Sequence, residues 1–468
     1  MKYISTRGGS PALSFQDVVL QGLATDGGLY VPEFLPKFSK NKIAAMRKMT
    51  YPELFFEVTE HFVADEINAE TYKNLIEKSY QNFSHQAIAP LKQLSSNEFL
   101  LELFHGPTLA FKDFALQFLG NLLDYFLQKS GEKIVIIGAT SGDTGSAAIQ
   151  GCKACENATI FIIHPHNRVS EVQRKQMTTV LSDNVFNVAL QGNFDDCQSM
   201  VKKMFGDQKF LNGKRMVAVN SINFARIMAQ IVYYFYAALR LGVDGKNAIS
   251  FSVPTGNFGD IYAGYLAKKM GLNIGKLIIA TNENDILHRF LQDNDYSRAD
   301  AKDTISPSMN IQVSSNFERL LFDAYKEQKS EEKIAEMMKE FERVGALKAD
   351  YEILQNIKKD FDSYAVDDEK TAQKISEVFT QTGEILDPHT AIGVAASNKF
   401  VTSQNYRGEL VVTLATAHPA KFPEAVIAAT GKNPELPNFM KDLFSREEKM
   451  TVIEKNIDAV KQFISARI

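Results

Sequence analysis

Tryptophan is absent from this 468-residue chain, cysteine is rare, and neither sign of charge dominates. Cys152, Cys155 and Cys197 are too few, and odd in number, for a disulfide framework. Cys152-x-x-Cys155 has the spacing of a redox pair, but it falls inside a helix expected after a glycine-rich loop. A reactive thiol pair would instead stand at a helix N-terminus. No second ligand pair stands at zinc spacing, so no metal is expected. No stretch approaches the roughly 20 apolar residues of a membrane span. Residues 1–20 lack both a signal-length apolar run and the Arg- and Ser-rich bias of a transit peptide, so the cytoplasm is the expected location. Lys and Arg number 52 against 56 Asp and Glu, a net charge of −4, which argues against a nucleic-acid partner.

What is present is an ordinary globular composition, 45% hydrophobic and 23% charged. The chain is too long for one compact core, so two or three packed units are expected. Residues 1–97 read as a mixed N-terminal region, with a turn at Asp26-Gly-Gly28 and helical patterns over 44–48, 51–63 and 69–79. From Phe99 short apolar runs alternate with amphipathic segments, the signature of an α/β protein with parallel sheets. Strands are expected at 99–104, 134–137, 159–163, 185–190, 216–219, 249–253, 277–280 and 410–414. Phe111, Ala115, Phe118, Leu119, Leu122 and Phe126 mark the buried face of one helix, ended by Gly131. Further helices are expected at 146–155, after a capping box of Ser170 and Gln173, and at 260–270 and 419–429. Residues 292–306 read as a polar loop and 330–361 as charged helix. With a break between Asn220 and Lys246, the division becomes 1–97, then 98–225 with a reactive lysine, then 226–468 with helical insertions.

The chemistry centres on His105-Gly-Pro-Thr-Leu-Ala-Phe-Lys112-Asp-Phe, where apolar residues frame a lysine at a loop-to-helix transition. Burial favours a neutral lysine amine, one able to condense with an aldehyde. By itself Lys112 reads more readily as a surface lysine beside Asp113. Two glycine-rich strand-to-helix loops change the weighting. Pro254-Thr-Gly256-Asn257-Phe258-Gly259-Asp260 lets successive backbone N–H groups converge on an anion at a helix N-terminus. Its alternative is a plain tight turn with Asp260 as N-cap. Neither a Walker lysine nor Rossmann spacing follows, which disfavours a nucleotide. Thr140-Ser141-Gly-Asp143-Thr144-Gly145 offers hydroxyls and amides to a carboxylate. In Asn220-Ser221-Ile-Asn-Phe-Ala-Arg226 the guanidinium suits a phosphate, with Asn220 and Ser221 as neutral donors. Thr416 stands after the last strand, as a hydroxyl for a ring nitrogen or as a helix cap before Pro419. A carbonyl-reactive lysine with phosphate- and carboxylate-holding loops is the equipment of pyridoxal 5'-phosphate (PLP) enzymes.

These runs, in this order, together with Ser306-Pro-Ser-Met-Asn-Ile-Gln-Val-Ser-Ser-Asn-Phe-Glu-Arg319 and the start Tyr3-Ile-Ser-Thr-Arg, resemble the threonine synthase family over nearly the whole chain. The resemblance is to the branch found in many bacteria and in fungi. It implies PLP fold type II, the tryptophan-synthase-β-like architecture of two α/β domains with an added N-terminal region. It also implies conversion of O-phospho-L-homoserine and water to L-threonine and phosphate, by γ-elimination and β-addition of water. The alternatives are a phospholyase giving 2-oxobutyrate and a non-catalytic PLP-binding homologue. Carried over, the family places PLP and the mobile base at Lys112 and the cofactor phosphate at Gly256, Asn257, Phe258, Gly259 and Asp260. Thr416 would face the pyridine nitrogen. Ser141, Asp143 and Thr144 would meet the substrate carboxylate and phosphate end, and Asn220, Ser221 and Arg226 the substrate phosphate. Cysteine-synthase-like relatives carry Asn where this loop has Asp143. A monomer or homodimer is expected.

Overall fold

The apolar runs expected as buried strands form two parallel sheets, and helices cover both faces of each. The computed structural model describes residues 1–243, 247–328 and 330–468. One sheet has six strands in the order Phe361–Ala365, Ile274–Thr281, Ile249–Pro254, Leu410–Ala415, Glu98–Glu102 and Leu91–Gln93. Only the last pairing is antiparallel. The other sheet has five strands, all parallel, in the order Thr451–Glu454, Val185–Gln191, Ala158–Pro165, Ile134–Ala139 and Arg215–Val217. Residues such as Val135, Ile136, Phe251 and Val253 are fully buried, as expected for strands packed on both faces.

The sheets cut across the sequential division at 97/98 and 225/226. Glu98–Glu102, just ahead of Lys112, pairs with Leu410–Ala415 in the six-stranded sheet, while Thr451–Glu454 near the C-terminus joins the five-stranded one. The expected break at 220–246 is largely taken up by the helix Phe224–Arg240, all but its last residue buried. Residues 244–246 of that interval lie outside the described residues. The polar segment 292–306 begins in the helix Ile286–Asp293 and contains the short strand Tyr296–Ser297. The charged segment 330–361 divides into the helices Ser330–Val344 and Tyr351–Asp360 around the strand Ala346–Leu347. Residues 362–409 add the helices Asp368–Thr382 and Pro388–Val401, for which no sequence expectation was formed. Among the described residues no helix is long and apolar enough to cross a membrane.

Two closely packed helices begin at the site. Lys112–Ser130 carries Lys112 at its first position, and Asp143–Cys152 carries Asp143 at its own. They meet at glycines: a Cβ on Gly120 would stand 2.0 Å from the Gly151 carbonyl oxygen, and one on Gly151 2.3 Å from that of Leu116. Cys155 donates its Sγ–H to the Gly120 carbonyl at 3.3 Å, and the neighbouring Cys152 thiol, with burial, pushes its thiol up, the reverse of a reactive pair. Gly120→Ala forces these backbones apart and is expected to lower stability by about 1–3 kcal/mol. The denaturation midpoint reads this, and an unchanged midpoint would contradict the close seating of the two helices.

Candidate active site

Strands of both sheets run their carboxyl ends toward one cleft, where ligands of open α/β sheets bind. The loop before Lys112 is fastened to the end of Leu410–Ala415: Leu103 N–H donates to Ala415 O at 2.9 Å and Phe111 N–H to Thr416 O at 2.8 Å. Lys112, Asp143, Arg226, Gly256, Asp260 and Thr416 line a single cavity. Thr144, Ser221, Asn257, Phe258 and Gly259 share its wall. Ser141 and Thr144 open on an adjoining cavity of ≈ 340 Å³, between the loop after Ala139 and residues 307–313. Asn220 turns back on its own loop, its Oδ1 accepting from Ile222 N–H at 3.2 Å.

The Lys112 side chain is 11% exposed, and its Nζ donates to Asp143 Oδ2 at 3.1 Å. Burial lowers its amine from the ordinary value, Lys421 and Arg226 add like-charge repulsion, and Asp143 opposes them. The glycine loop was expected to reach Gly145 before the helix began, but the helix starts at Asp143. Thr140 Oγ1 allows this by accepting from Gly142 N–H and Gly145 N–H, both at 2.9 Å. Gly142 has a φ of 138°, and a Cβ there would lie 2.5 Å from Gln173 Cδ. Ser170 caps the next helix as expected, but Gln173 does not complete the box: its Nε2 donates to Asp143 Oδ1 at 2.7 Å.

Asp143 has two more donors that the sequence reading did not assign. Lys421, with no exposed surface, stands 2.9 Å from Oδ1, and Ser308 Oγ donates to Oδ2 at 3.2 Å. Burial alone would raise this carboxyl; the Lys112 and Lys421 ammonium groups hold it well below the usual carboxylate range. His389 also faces the cavity. Its Nδ1 meets Asp387 Oδ1 at 2.8 Å and its Nε2 accepts from Ser308 N–H at 3.2 Å, so the ring proton sits on Nδ1. Lys421, Ser308 and Asp387 are all polar groups in otherwise apolar or proline-bordered stretches, and that was the available signal.

The second glycine loop behaves as a cradle. Phe258 precedes the helix Gly259–Lys269 with a φ of 61°, and its ring packs on Phe317 and Phe361. Ser314 Oγ donates to Gly256 O at 2.7 Å, and Asn316 N–H and Nδ2 to Asn257 O at 3.1 and 2.9 Å. With these carbonyls turned into the segment 314–316, the trans peptides direct the following amides to the cavity side. Asp260 is not the N-cap; it lies inside the helix, where the Tyr233 and Tyr234 hydroxyls donate to its Oδ1. Burial raises its carboxyl to about 6, and its Oδ2 is buried without a partner. Arg226 is 4% exposed with Nε and Nη1 unpartnered, and burial lowers its guanidinium to about 10. Thr416 is no helix cap: its N–H donates to Thr390 Oγ1, and His418 caps the turn Pro419–Lys421.

A phosphorylated aldehyde fits these residues. Lys112 supplies an amine with a lowered pKa, the cradle supplies backbone amides, and two Arg226 nitrogens are donors without a partner among the described residues. Such a lysine, facing an anion cradle between two parallel sheets, defines a PLP-dependent enzyme of fold type II. Family models agree: "Pyridoxal-phosphate dependent enzyme" matches residues 85–349, "Threonine synthase N terminus" 2–80, and "Threonine synthase, C-terminal" 390–464. The chain is 57% identical to threonine synthase of Pseudomonas aeruginosa, over 99% of this chain and 98% of that one. The crystal structure of PLP-bound threonine synthase from Brucella melitensis superposes with a TM-score of 0.96 at 47% identity, covering 100% and 99% of the two chains. That of threonine synthase from yeast gives 0.94 at 41%, covering 100% and 98%. The chain belongs to the threonine synthase family.

Leaving Arg226 unpartnered and buried costs stability that a bound anion restores. Arg226→Met is therefore expected to raise the melting temperature of the apoprotein, by an amount equivalent to about 1–3 kcal/mol, and to abolish its further rise with added inorganic phosphate. Thermal denaturation with and without phosphate checks both.

Proposed function

We propose that this site converts O-phospho-L-homoserine and water into L-threonine and phosphate. The observation that carries the reading is the pairing, on one cavity, of a buried lysine amine with a buried guanidinium two of whose nitrogens have no protein partner. When bound, PLP supplies an aldehyde that links to amines and a ring that withdraws electrons from the substrate carbons.

Lys112 Nζ holds the cofactor and, once released by the substrate amine, takes the proton from the substrate α-carbon. It stays within reach because its helix start is fastened to Thr416, and the same amine returns a proton at the end of the turnover. Asp143 keeps that amine oriented. Amides of the 256–260 loop take the cofactor phosphate, and the Thr416 hydroxyl meets the pyridine nitrogen. Being neutral, Thr416 does not fix that nitrogen's proton as a carboxylate would, so more of the work falls on placed proton transfers. Ser141 and Thr144 receive the substrate carboxylate from the adjoining cavity, and Ser221 and Arg226 its phosphate, with Asn220 shaping their loop. This reading carries with it a cytoplasmic location, no nucleic-acid or membrane partner, and a monomer or homodimer.

A second reading of Arg226 has its own support. A Cβ on Gly259 would lie 3.3 Å from Ile227 Cδ1 and 3.7 Å from Ser221 O, so the Arg226 loop abuts the cofactor cradle. Arg226→Met that keeps PLP but raises KM assigns the guanidinium to the substrate phosphate; loss of PLP affinity assigns it to the cofactor.

Incubation of the PLP-loaded protein with O-phospho-L-homoserine is expected to release phosphate and L-threonine in equal amounts, and Lys112→Ala to lose both. Release of 2-oxobutyrate with ammonia would replace the synthase reading by a phospholyase. No phosphate release would overturn both.

A further inference from the structure

Lys421 has no place in the chemistry above, yet it is a fully buried ammonium set against the carboxylate that Lys112 faces. Its Nζ contacts Asp143 Oδ1 at 2.9 Å and donates to the carbonyl of Thr108 at 2.7 Å. Thr108 belongs to the loop that leads into Lys112, and its N–H and Oγ1 donate to the buried Asp113 of the same helix, both at 2.8 Å. Lys421 therefore ties the lysine-bearing loop to the carboxylate that the lysine faces.

The two oxygens of Asp143 are used differently. Oδ1 is taken by Lys421 and Gln173, and Oδ2 by Ser308 and Lys112. Lys112 can react with an aldehyde only as a neutral amine, so it must lose a proton while 3.1 Å from a carboxylate. Were Lys112 the sole cation there, deprotonation would leave a buried, uncompensated negative charge, which is costly. With Lys421 on the other oxygen, the carboxylate keeps a counter-ion after that proton has gone.

We propose that Lys421 is a positioning residue that takes over the charge of Asp143, so that the Lys112 amine is free to deprotonate and bind the cofactor aldehyde. The charged and titratable groups facing this pair are Arg226 and His389 across the cavity and Lys421 itself, with Asp260 further along the wall. Arg226 and Lys421 both oppose a proton on Lys112, while Asp143 favours it. Removing Lys421 leaves Asp143 to hold that proton more firmly.

The inference rests on Lys112 as the cofactor lysine, which is checked separately: Lys112→Ala apoprotein must fail to give the absorbance band of lysine-linked PLP. The test itself is the pH dependence of PLP capture by apoprotein, followed through that band. Capture needs the neutral amine, so its rate rises through the Lys112 pKa. In Lys421→Met the acidic limb is expected to move to higher pH by about one unit, a roughly tenfold slower capture at a fixed pH below the limb. Lys421→Arg keeps the charge and is expected to leave the limb near its original position. In the double variant Lys421→Met with Asp143→Asn the carboxylate is gone, and the limb is expected to move back down. A purely structural role would slow capture equally at all pH values. An unmoved limb in Lys421→Met, or no return in the double variant, would overturn the proposal. Should Lys421→Met fail to fold, the same comparison with Lys421→Gln decides it.

Discussion

The carboxylate of Asp143 lies where donors from four separate stretches of chain converge: Lys112, Gln173, Ser308 and Lys421. The Lys112 helix and the Lys421 turn follow strands of the six-stranded sheet and the Gln173 helix follows one of the five-stranded sheet, so this group joins elements from both sides of the cleft. A carboxylate with four charge-reinforced or neutral donors is cheap to bury, whereas any of those cations alone would not be. The contact also needs the Lys112 and Asp143 helices to start side by side. The glycine seat at Gly120 and Gly151 allows that, since no larger residue lets the two backbones approach so closely.

The rest of the cavity is deliberately incomplete. Lys112, Lys421 and Arg226 outnumber the ionised Asp143, and Asp260 is pushed toward its neutral form. Two nitrogens of Arg226 and one oxygen of Asp260 are buried without partners. Buried polar atoms are ordinarily satisfied, and the two Arg226 nitrogens are donors that a phosphorylated ligand would satisfy. Stability and anion affinity are thus coupled through the same side chains.

How much of this the sequence disclosed depended on whether the signal was local. The strands Ile134–Ala139, Ala158–Pro165 and Ile249–Pro254 were legible because strands buried on both faces are continuously apolar. Lys112, Arg226 and the 256–260 loop were legible because glycine or a loop-to-helix step marked them. Strand order was not. That Glu98–Glu102 leaves its sequential neighbours to pair with Leu410–Ala415 depends on a contact some 300 residues away along the chain. Gln173 illustrates the same limit within one helix turn. Its spacing from Ser170 spelled a capping box, but its Oε1 accepts from the Ser170 hydroxyl instead of the backbone N–H, and its Nε2 donates to a buried carboxylate. Lys421 lies just beyond Thr416 and Pro419. It drew no assignment because a lysine after a proline reads as surface until its surroundings are known.

Asp143 and Lys421 form a matched pair in this fold, and the match explains the choice of Asp over the Asn that cysteine-synthase-like relatives carry in this loop. An asparagine has one acceptor oxygen and turns an NH₂ toward whatever faces its other position. Here both positions face donors: an ammonium and an amide on one side, an ammonium and a hydroxyl on the other. An Asn would set N–H against N–H at one of them and leave the Lys421 charge buried without a counter-ion. The acidic residue therefore requires the buried lysine, and the buried lysine requires the acidic residue. Neither position can change alone without disturbing the amine that lies between them and the cofactor cradle.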